Sequence, residues 1–305
     1  MKLYYYYYYY GDKKPVTYPN FGDLLNEWLW PKLLFDVYHK DNCQDIFDED
    51  DTAILVGIGT LLNRELEQKT PNARLRMVFS SGVGYGTPLQ KLDETYKVYC
   101  VRGPLSASKL QLSPDKGLVD GGIMIRRYFN PPRKVKYKYS YMPHHGFSGS
   151  GWENVCKSLN FGYIDPSLPV EDVMTKICET EILLTEAMHG AITAEAFRVP
   201  WVPVKSHDMI LTFKWEDWCA SVNLKYEPQT INRLLQPNPV QDLMTPIRRV
   251  RDWTRQRLAA QELKALANNC RPILGDENHL ENLTVELENR LEQLKSDLKA
   301  GCLGP

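Results

Sequence analysis

The stretch Ile182-Leu183-Leu184-Thr185-Glu186-Ala187-Met188-His189-Gly190-Ala191 decides how this chain is read. An apolar run stops abruptly at a polar turn that carries a histidine and a glycine. Ala191-Ile192-Thr193-Ala194-Glu195-Ala196-Phe197 then suits a helix, and Val199-Pro200-Trp201-Val202-Pro203-Val204 is a second apolar run. The pattern is strand, turn, helix, strand. In an open α/β sheet, ligands lie in the crevice outside the carboxyl ends of the strands. The free N–H groups at the start of the following helix face an anion placed there. His189 therefore stands where chemistry on an anionic substrate takes place. The competing reading is a capping or core histidine in an ordinary βαβ unit.

Working outward, the same alternation recurs. Tyrosine favours strands, so Lys2 and the run Tyr4 to Tyr10 predict a first strand over 2–10. A helix is expected from Asp23 to about Tyr38. Apolar runs follow at 52–59, 75–80 and 97–101, with a helix from Leu105 to Leu110 behind Pro104, a residue suited to a first helical turn. The Arg-, Lys- and Pro-rich stretch 126–138 reads as a linker. Beyond it come a strand from Val135 to Met142 and helices at about 151–160 and 170–178, then the unit around His189. Strands alternating with helices predict parallel, doubly wound sheets. The expected architecture is α/β, in two halves: residues 1–130 form the first, 131–226 the second, and 227–305 a helical tail.

Composition narrows the function classes. Hydrophobic residues make up 43% and charged residues 25%, which is globular. A formal net charge of -1 gives no general attraction for nucleic acid. The longest apolar runs are strand length, well below the roughly 20 residues of a membrane helix. Met1-Lys2-Leu3 leads straight into tyrosines, which is no secretory signal. The seven scattered cysteines hold no CxxC pair, which suits a reducing, cytoplasmic compartment and predicts neither a zinc site nor a cofactor.

The tail differs from the body. Residues 247–258 form a basic helix carrying Trp253 among arginines, either a solvated face or a peripheral contact with the inner face of an anionic membrane. Leu280, Leu283, Leu287, Leu291, Leu294 and Leu298 recur at intervals of three and four, one apolar helical stripe. That stripe packs on the body or joins a second copy in a homo-oligomer.

Several strand ends carry residues suited to a polar ligand. Asn20-Phe21-Gly22-Asp23 joins the first strand to its helix; Gly57-Ile58-Gly59 and Gly82-Val83-Gly84-Tyr85-Gly86 end two others. None has the GxGxxG spacing of a dinucleotide site. Arg102 follows a strand and has the geometry to grip a carboxylate or phosphate with two N–H groups, or to form a salt bridge. Asp120 is a turn former or a cleft carboxylate. His144, one of an adjacent histidine pair, faces the cleft or caps a turn. Lys214-Trp215-Glu216-Asp217-Trp218 mixes charge with rings that stack on sugars or pack.

These residues, in this order, resemble the polysaccharide pyruvyltransferase family: Asn20-Phe21-Gly22-Asp23, Gly57-Ile58-Gly59, Val101-Arg102-Gly103-Pro104, Asp120, Pro143-His144 and Met188-His189-Gly190. The wording around 57–63 and 185–191 is most similar to the succinoglycan-type ketal-pyruvate transferases of exopolysaccharide biosynthesis. The resemblance covers about residues 1–220. It implies a glycosyltransferase-B-like pair of Rossmann-like domains facing a cleft, with 1–130 on the acceptor side and 131–226 on the donor side, and transfer of pyruvate from phosphoenolpyruvate to two hydroxyls of one sugar on a lipid-linked oligosaccharide. It implies donor binding by Arg102, Met188, His189, Gly190 and Lys214, acceptor binding by Asn20, Gly22, Gly59 and His144, and catalysis by His189 with Asp23 and Asp120. Many members carry arginine two residues before the histidine, whereas this chain has Ala187. Arg102, Arg198, Lys205 and Lys214 are the candidate replacements. Histidine titrates near neutrality, so His189 is expected to act as general acid and then base. Two rivals remain at this stage. One is a nucleotide-sugar glycosyltransferase using Glu195 for ribose hydroxyls; the other is a non-catalytic scaffold.

Overall fold

A computed structural model describes residues 1–6, 20–38, 50–87, 89, 92–234 and 245–300. The first sheet holds β1 (Lys2–Tyr4), β2 (Ala53–Val56), β3 (Leu75–Ser81) and β4 (Tyr96–Val101), in that spatial order and all parallel. Helices cover both faces, so β2 and β3 are buried along their whole length. This is why their sequences are continuous apolar runs and not alternating ones. The second sheet runs β6 (Gly162–Tyr163), β5 (Tyr137–Met142), β7 (Thr180–Thr185), β8 (Trp201–Lys205) and β9 (Gln229–Thr230), again all parallel.

The two parallel α/β halves expected from the sequence are therefore present, with some shifts at the edges. The first strand is Lys2–Tyr4, and Tyr7 to Tyr10 lie outside the described residues. The stretch read as a linker contains the short helix Ile125–Tyr128. The second sheet continues past residue 226, because β9 pairs with β8 there.

Register fixes the edge that matters. Met142 of β5 pairs with Thr185 of β7, which pairs with Pro203 of β8. The residues that follow these strands, His144, Glu186 and Ser206, therefore meet at one edge. Glu186 is buried and accepts from the backbone N–H of His144 at 3.1 Å and of Ser206 at 2.6 Å. One carboxylate thus ties three strand ends together.

The helix Thr212–Ser221 lies between β8 and β9 in sequence yet packs on the helix Pro104–Lys109 of the first half. Its Asp217 is buried and accepts from Arg102 Nε at 3.1 Å, from Ser106 N at 2.8 Å and from Ser106 Oγ at 2.5 Å. Trp215 and Trp218 pack on Trp201 with ring centroids 6.1 and 5.3 Å away, so these tryptophans are core and not a sugar platform.

The tail is docked on the body. Leu280, Leu287, Leu291, Leu294 and Leu298 of the helix Glu277–Lys299 are buried in the main core. The leucine stripe thus packs on the body, one of its two expected arrangements. Arg126 and Arg127 of the basic stretch face this helix: Arg127 bonds Glu281 at 2.5 Å and Glu288 at 2.8 Å.

A buried ion pair that loses one partner leaves an uncompensated charge, at a cost of about 3–5 kcal/mol. Asp217→Ala should therefore lower unfolding stability by about that amount in a urea titration. A loss within about 0.5 kcal/mol, the range of ordinary surface changes, would show that the pair does not hold the two halves together.

Candidate functional site

Three turns converge on the imidazole of His189. The first is the start of the helix Phe21–Leu33, whose Phe21 N–H donates across to Pro166 O at 2.8 Å. Its Gly22 backbone lies so close that a side-chain carbon there would sit 2.1 Å from His189 Nδ1. Only glycine leaves room for the ring. The second is the turn Asp120-Gly121-Gly122. Asp120 caps it by accepting from Gly122 N at 2.9 Å through Oδ1, while its Oδ2 lies 3.7 Å from His189 Nε2. The third is the histidine's own helix, Met188–Ala196, which has no side-chain cap at Ala187.

Neither His189 Nε2 nor Asp120 Oδ2 has a hydrogen-bond partner among the described residues, although both are buried. An orphaned buried pair of this kind is uncommon in folded proteins. Burial, with the positive charges of Lys214 and Arg102, holds His189 well below its usual range, at about 3. Burial raises Asp120 to about 6. It raises Asp23 further, to about 7, against the opposing pull of the Asn20 amide at 2.8 Å and of Lys214. The expectation that His189 titrates near neutrality is thus corrected: in the free protein it is neutral, and Asp23 is the group that exchanges a proton near pH 7.

Two glycines at the glycine-rich strand ends lie against the protein's own side chains. A carbon on Gly82 would lie 2.3 Å from the Arg102 guanidinium, and one on Gly57 would lie 2.2 Å from Asn26 Oδ1. These glycines make room for the protein's own side chains. Gly59, at φ +141°, turns the chain out of β2, and its carbonyl accepts from Gly82 N at 2.9 Å.

Arg102 is correspondingly not an open anion clamp. It is fully buried, and its N–H groups go to Asp217, to Thr60 Oγ1 at 2.8 Å and to Val83 O at 2.9 Å. Arg198 is committed to Glu195 at 2.8 Å, to Glu277 at 2.7 Å and to Gly275 O. Lys205 pairs with Asp208 at 3.4 Å. Lys214 donates to the Tyr85 hydroxyl at 3.0 Å, and its charge reaches Asp23, His144, His145 and His189. Of the four candidate cations, Lys214 and the buried Arg102 are the two whose charge reaches His189.

His144 caps its turn by accepting from Gly146 N at 3.2 Å through Nδ1. Its ring lies 4.3 Å from that of His145, and burial holds the two down at about 3 and about 4. Glu195 faces away from the cleft: it accepts from Trp201 Nε1 at 2.9 Å and from Gly275 N at 2.8 Å. No group of three metal-ligating side chains occurs among the described residues.

Sequence reasoning missed two residues. Asn26 accepts from Ile58 N at 2.7 Å and donates to Ile58 O at 3.0 Å, which fixes the Gly22–Asp23 turn against the end of β2. An asparagine on the buried face of an apolar helix is the signal that could have found it. Ser80 takes φ +62° at the end of β3 and accepts from Gly121 N, holding the Asp120 turn. A non-glycine residue in that region is strained, and no sequence pattern announces it.

Comparison with known proteins agrees with the resemblance. The family model of polysaccharide pyruvyl transferases matches residues 2–208. The succinoglycan biosynthesis protein ExoV of Rhizobium meliloti (strain 1021) is 39% identical over 216 residues, which is 70% of this chain and 64% of that protein's length. A solved structure of a variant of the wall teichoic acid polymerase TagF aligns over 80% of this chain and 74% of its own, at 11% identity and a TM-score of 0.27.

The raised Asp23 carboxyl has a consequence for stability. Below its ordinary value of 3.8 it is protonated whether folded or unfolded. Between 3.8 and about 7 the unfolded chain ionises it while the folded chain keeps its proton, so stability is lost as pH rises across that window and levels off above it. Asp23→Asn removes this loss. The variant should match the natural protein at pH 4 and exceed it by about 1–3 kcal/mol at pH 8 in urea unfolding. A difference that does not change with pH would refute the raised value.

Proposed function

Because the chain belongs to the polysaccharide pyruvyl transferase family, we propose that it transfers pyruvate from phosphoenolpyruvate to two hydroxyls of one sugar in an exopolysaccharide repeat, closing a cyclic ketal. The observation that carries the reading is the convergence of Asp23, Asp120 and His189 within reach of the Lys214 charge.

The donor brings a carboxylate and a phosphate. Lys214 and the uncapped N–H groups at the start of the helix Met188–Ala196 are the complementary charges. The reaction moves the π electrons of the enol to a proton at the methylene carbon, leaving an oxocarbenium-like centre. A sugar hydroxyl adds there and gives up its proton. The bond to the phosphate oxygen breaks and inorganic phosphate leaves; the second hydroxyl then closes the ring and releases its proton. Asp23 at about 7 is protonated in a good fraction of molecules at neutral pH, the value that suits a group delivering and recovering protons. His189 enters neutral. Binding of an anion beside it would lift its pKa and let it hold a proton during the reaction, with Asp120 behind Nε2 stabilising that charge. The acceptor sugar would lie against the Asn20–Asp23 turn, Gly59 and His144.

The nucleotide-sugar reading depended on Glu195, and that carboxylate is fully engaged by Trp201, Arg198 and Gly275. The scaffold reading depended on Ala187 and a free leucine stripe, and the stripe is packed on the body.

The test is incubation of purified protein with phosphoenolpyruvate and a lipid-linked oligosaccharide, following released phosphate and the acceptor's mass. His189→Ala should lose at least about a hundredfold in rate with its melting temperature retained. Lys214→Met should raise KM for phosphoenolpyruvate by about tenfold or more, the worth of a charged hydrogen bond, with a smaller change in kcat. Turnover of UDP-sugars in place of phosphoenolpyruvate would overturn the assignment.

A further inference from the structure

On the basic helix of the tail, Thr245–Asn269, three large apolar side chains are exposed among the described residues. Ala259, Leu263 and Ala267 are buried against the second half, where this helix packs on Ser150–Ser158. On the other side, Val250, Trp253 and Leu258 are 66%, 58% and 55% exposed. At 3.6 residues per turn, these three share an arc of about 140° with Thr254 and Arg257. Arg251 and Arg257 are exposed beside them, and the Arg257 guanidinium lies 4.9 Å from the Trp253 ring centroid. Residues 247–258 carry five arginines against one aspartate, in a chain whose net charge is -1. The positive charge is therefore concentrated in this stretch of the sequence; Arg257, and Arg251 beside its partner Asp252 at 3.2 Å, are the exposed arginines next to the apolar side chains.

Its place in the fold gives the face a direction. Just beyond the helix, Ile273 pairs with Trp201 at the start of β8. Partway along it, Glu262 accepts from Asn232 N at 2.8 Å, just past the end of β9. The helix therefore runs antiparallel to the strands. Trp253 lies about 13 Å further along its axis than Glu262, on the side of the strands' carboxyl ends. Arg233, next to Asn232, is bonded to His207 at 2.9 Å on that same edge, which also holds His144 and Glu186. The exposed apolar and basic face and the candidate site thus share one side of the second half.

We propose that this face docks on the surface of an anionic lipid bilayer, with the helix lying in the interface and the mouth of the site turned toward the lipid. A helix with aromatic and aliphatic side chains on one side and arginines beside them has the composition for that position. It cannot span, since no helix among the described residues is long and apolar enough to cross a membrane. A second copy would meet this face with the same arginines opposite one another, because a two-fold interface repeats one patch on both partners. Nucleic acid would use the arginines but leave Val250, Trp253 and Leu258 without a role. The inference is independent of the reaction assigned above and is tested without substrates.

The experiment is co-sedimentation of the full chain with vesicles of phosphatidylcholine alone and of phosphatidylcholine with phosphatidylglycerol. Binding is expected on the anionic vesicles only, with a blue shift of tryptophan emission, and should fall as salt rises. Arg251→Gln with Arg257→Gln should weaken it by roughly ten- to thirtyfold, the effect of removing two charges near such a surface. Trp253→Phe should abolish most of the emission shift, and Trp253→Ala should weaken binding by about tenfold. All three side chains are exposed, so circular dichroism and melting should be unchanged. Equal binding to both vesicle types, no binding to either, or variants that bind like the natural protein would overturn the proposal. So would a dimer in sedimentation equilibrium that Trp253→Ala dissociates, or a duplex DNA shift abolished by the arginine changes; these would give the face to a second copy or to nucleic acid.

Discussion

The site depends on one steric fact: there is no side chain at residue 22. The Gly22 backbone and the His189 ring occupy space that a single extra carbon would claim. That contact lets the first helix of one half begin against the histidine turn of the other. Phe21 then donates to Pro166, and Trp28 reaches Glu171 at 2.8 Å on the helix Val170–Cys178. Asn26 fixes the same helix to β2 from behind. Asp23 is carried into a buried position by these contacts and not by any preference of its own. An acidic residue in a first helical turn is ordinarily stabilised by the helix dipole. Here desolvation outweighs that help and lifts the carboxyl to about 7.

The electrostatics follow from the same crowding. Burial pushes acids up and histidines down, so both drift toward their neutral forms. Asp23 and Asp120 rise, while His144, His145 and His189 fall. The folded chain thus holds a cluster of titratable groups that carries little charge of its own beside a lysine. An arriving anion would reverse part of this, because it favours protonated histidine. On the proposed reading, the donor would itself raise His189 toward a protonated state, which the free protein does not hold.

Much of the fold could be read from the chain. Continuous apolar runs identified β2, β3, β7 and β8, because doubly covered parallel strands have no solvent face to mark. The turn at His189 could be placed because a strand, a polar turn and a helix follow one another within a few residues. Contacts between distant segments could not be read. Arg102 looks like an anion ligand in sequence, since nothing local reveals that Asp217, Ser106 and Val83 close around it and its partner. Gly57 and Gly82 look like a ligand rim, since a glycine's purpose depends on which side chain arrives beside it. Ser80 is ordinary in sequence and strained in the fold. The leucine stripe was clear as a stripe, but its partner, the main core, is set by tertiary packing.

The position of Ala187 follows from the same logic. Its backbone N–H accepts no freedom: it donates to Thr185 Oγ1 at 3.0 Å, and Thr185 Oγ1 in turn donates to Ala187 O at 3.1 Å. The turn is tight, and Ala187 packs against the core with its small side chain. A cation reaching the site from here would have to leave that packing. On the proposed reading the cation is Lys214, which stands on a separate helix held by the buried Arg102–Asp217 pair three residues along. On that reading, the arginine that the sequence offered for donor binding serves the site indirectly. It anchors the helix that presents the lysine, and its own charge stays locked in the contact between the two halves.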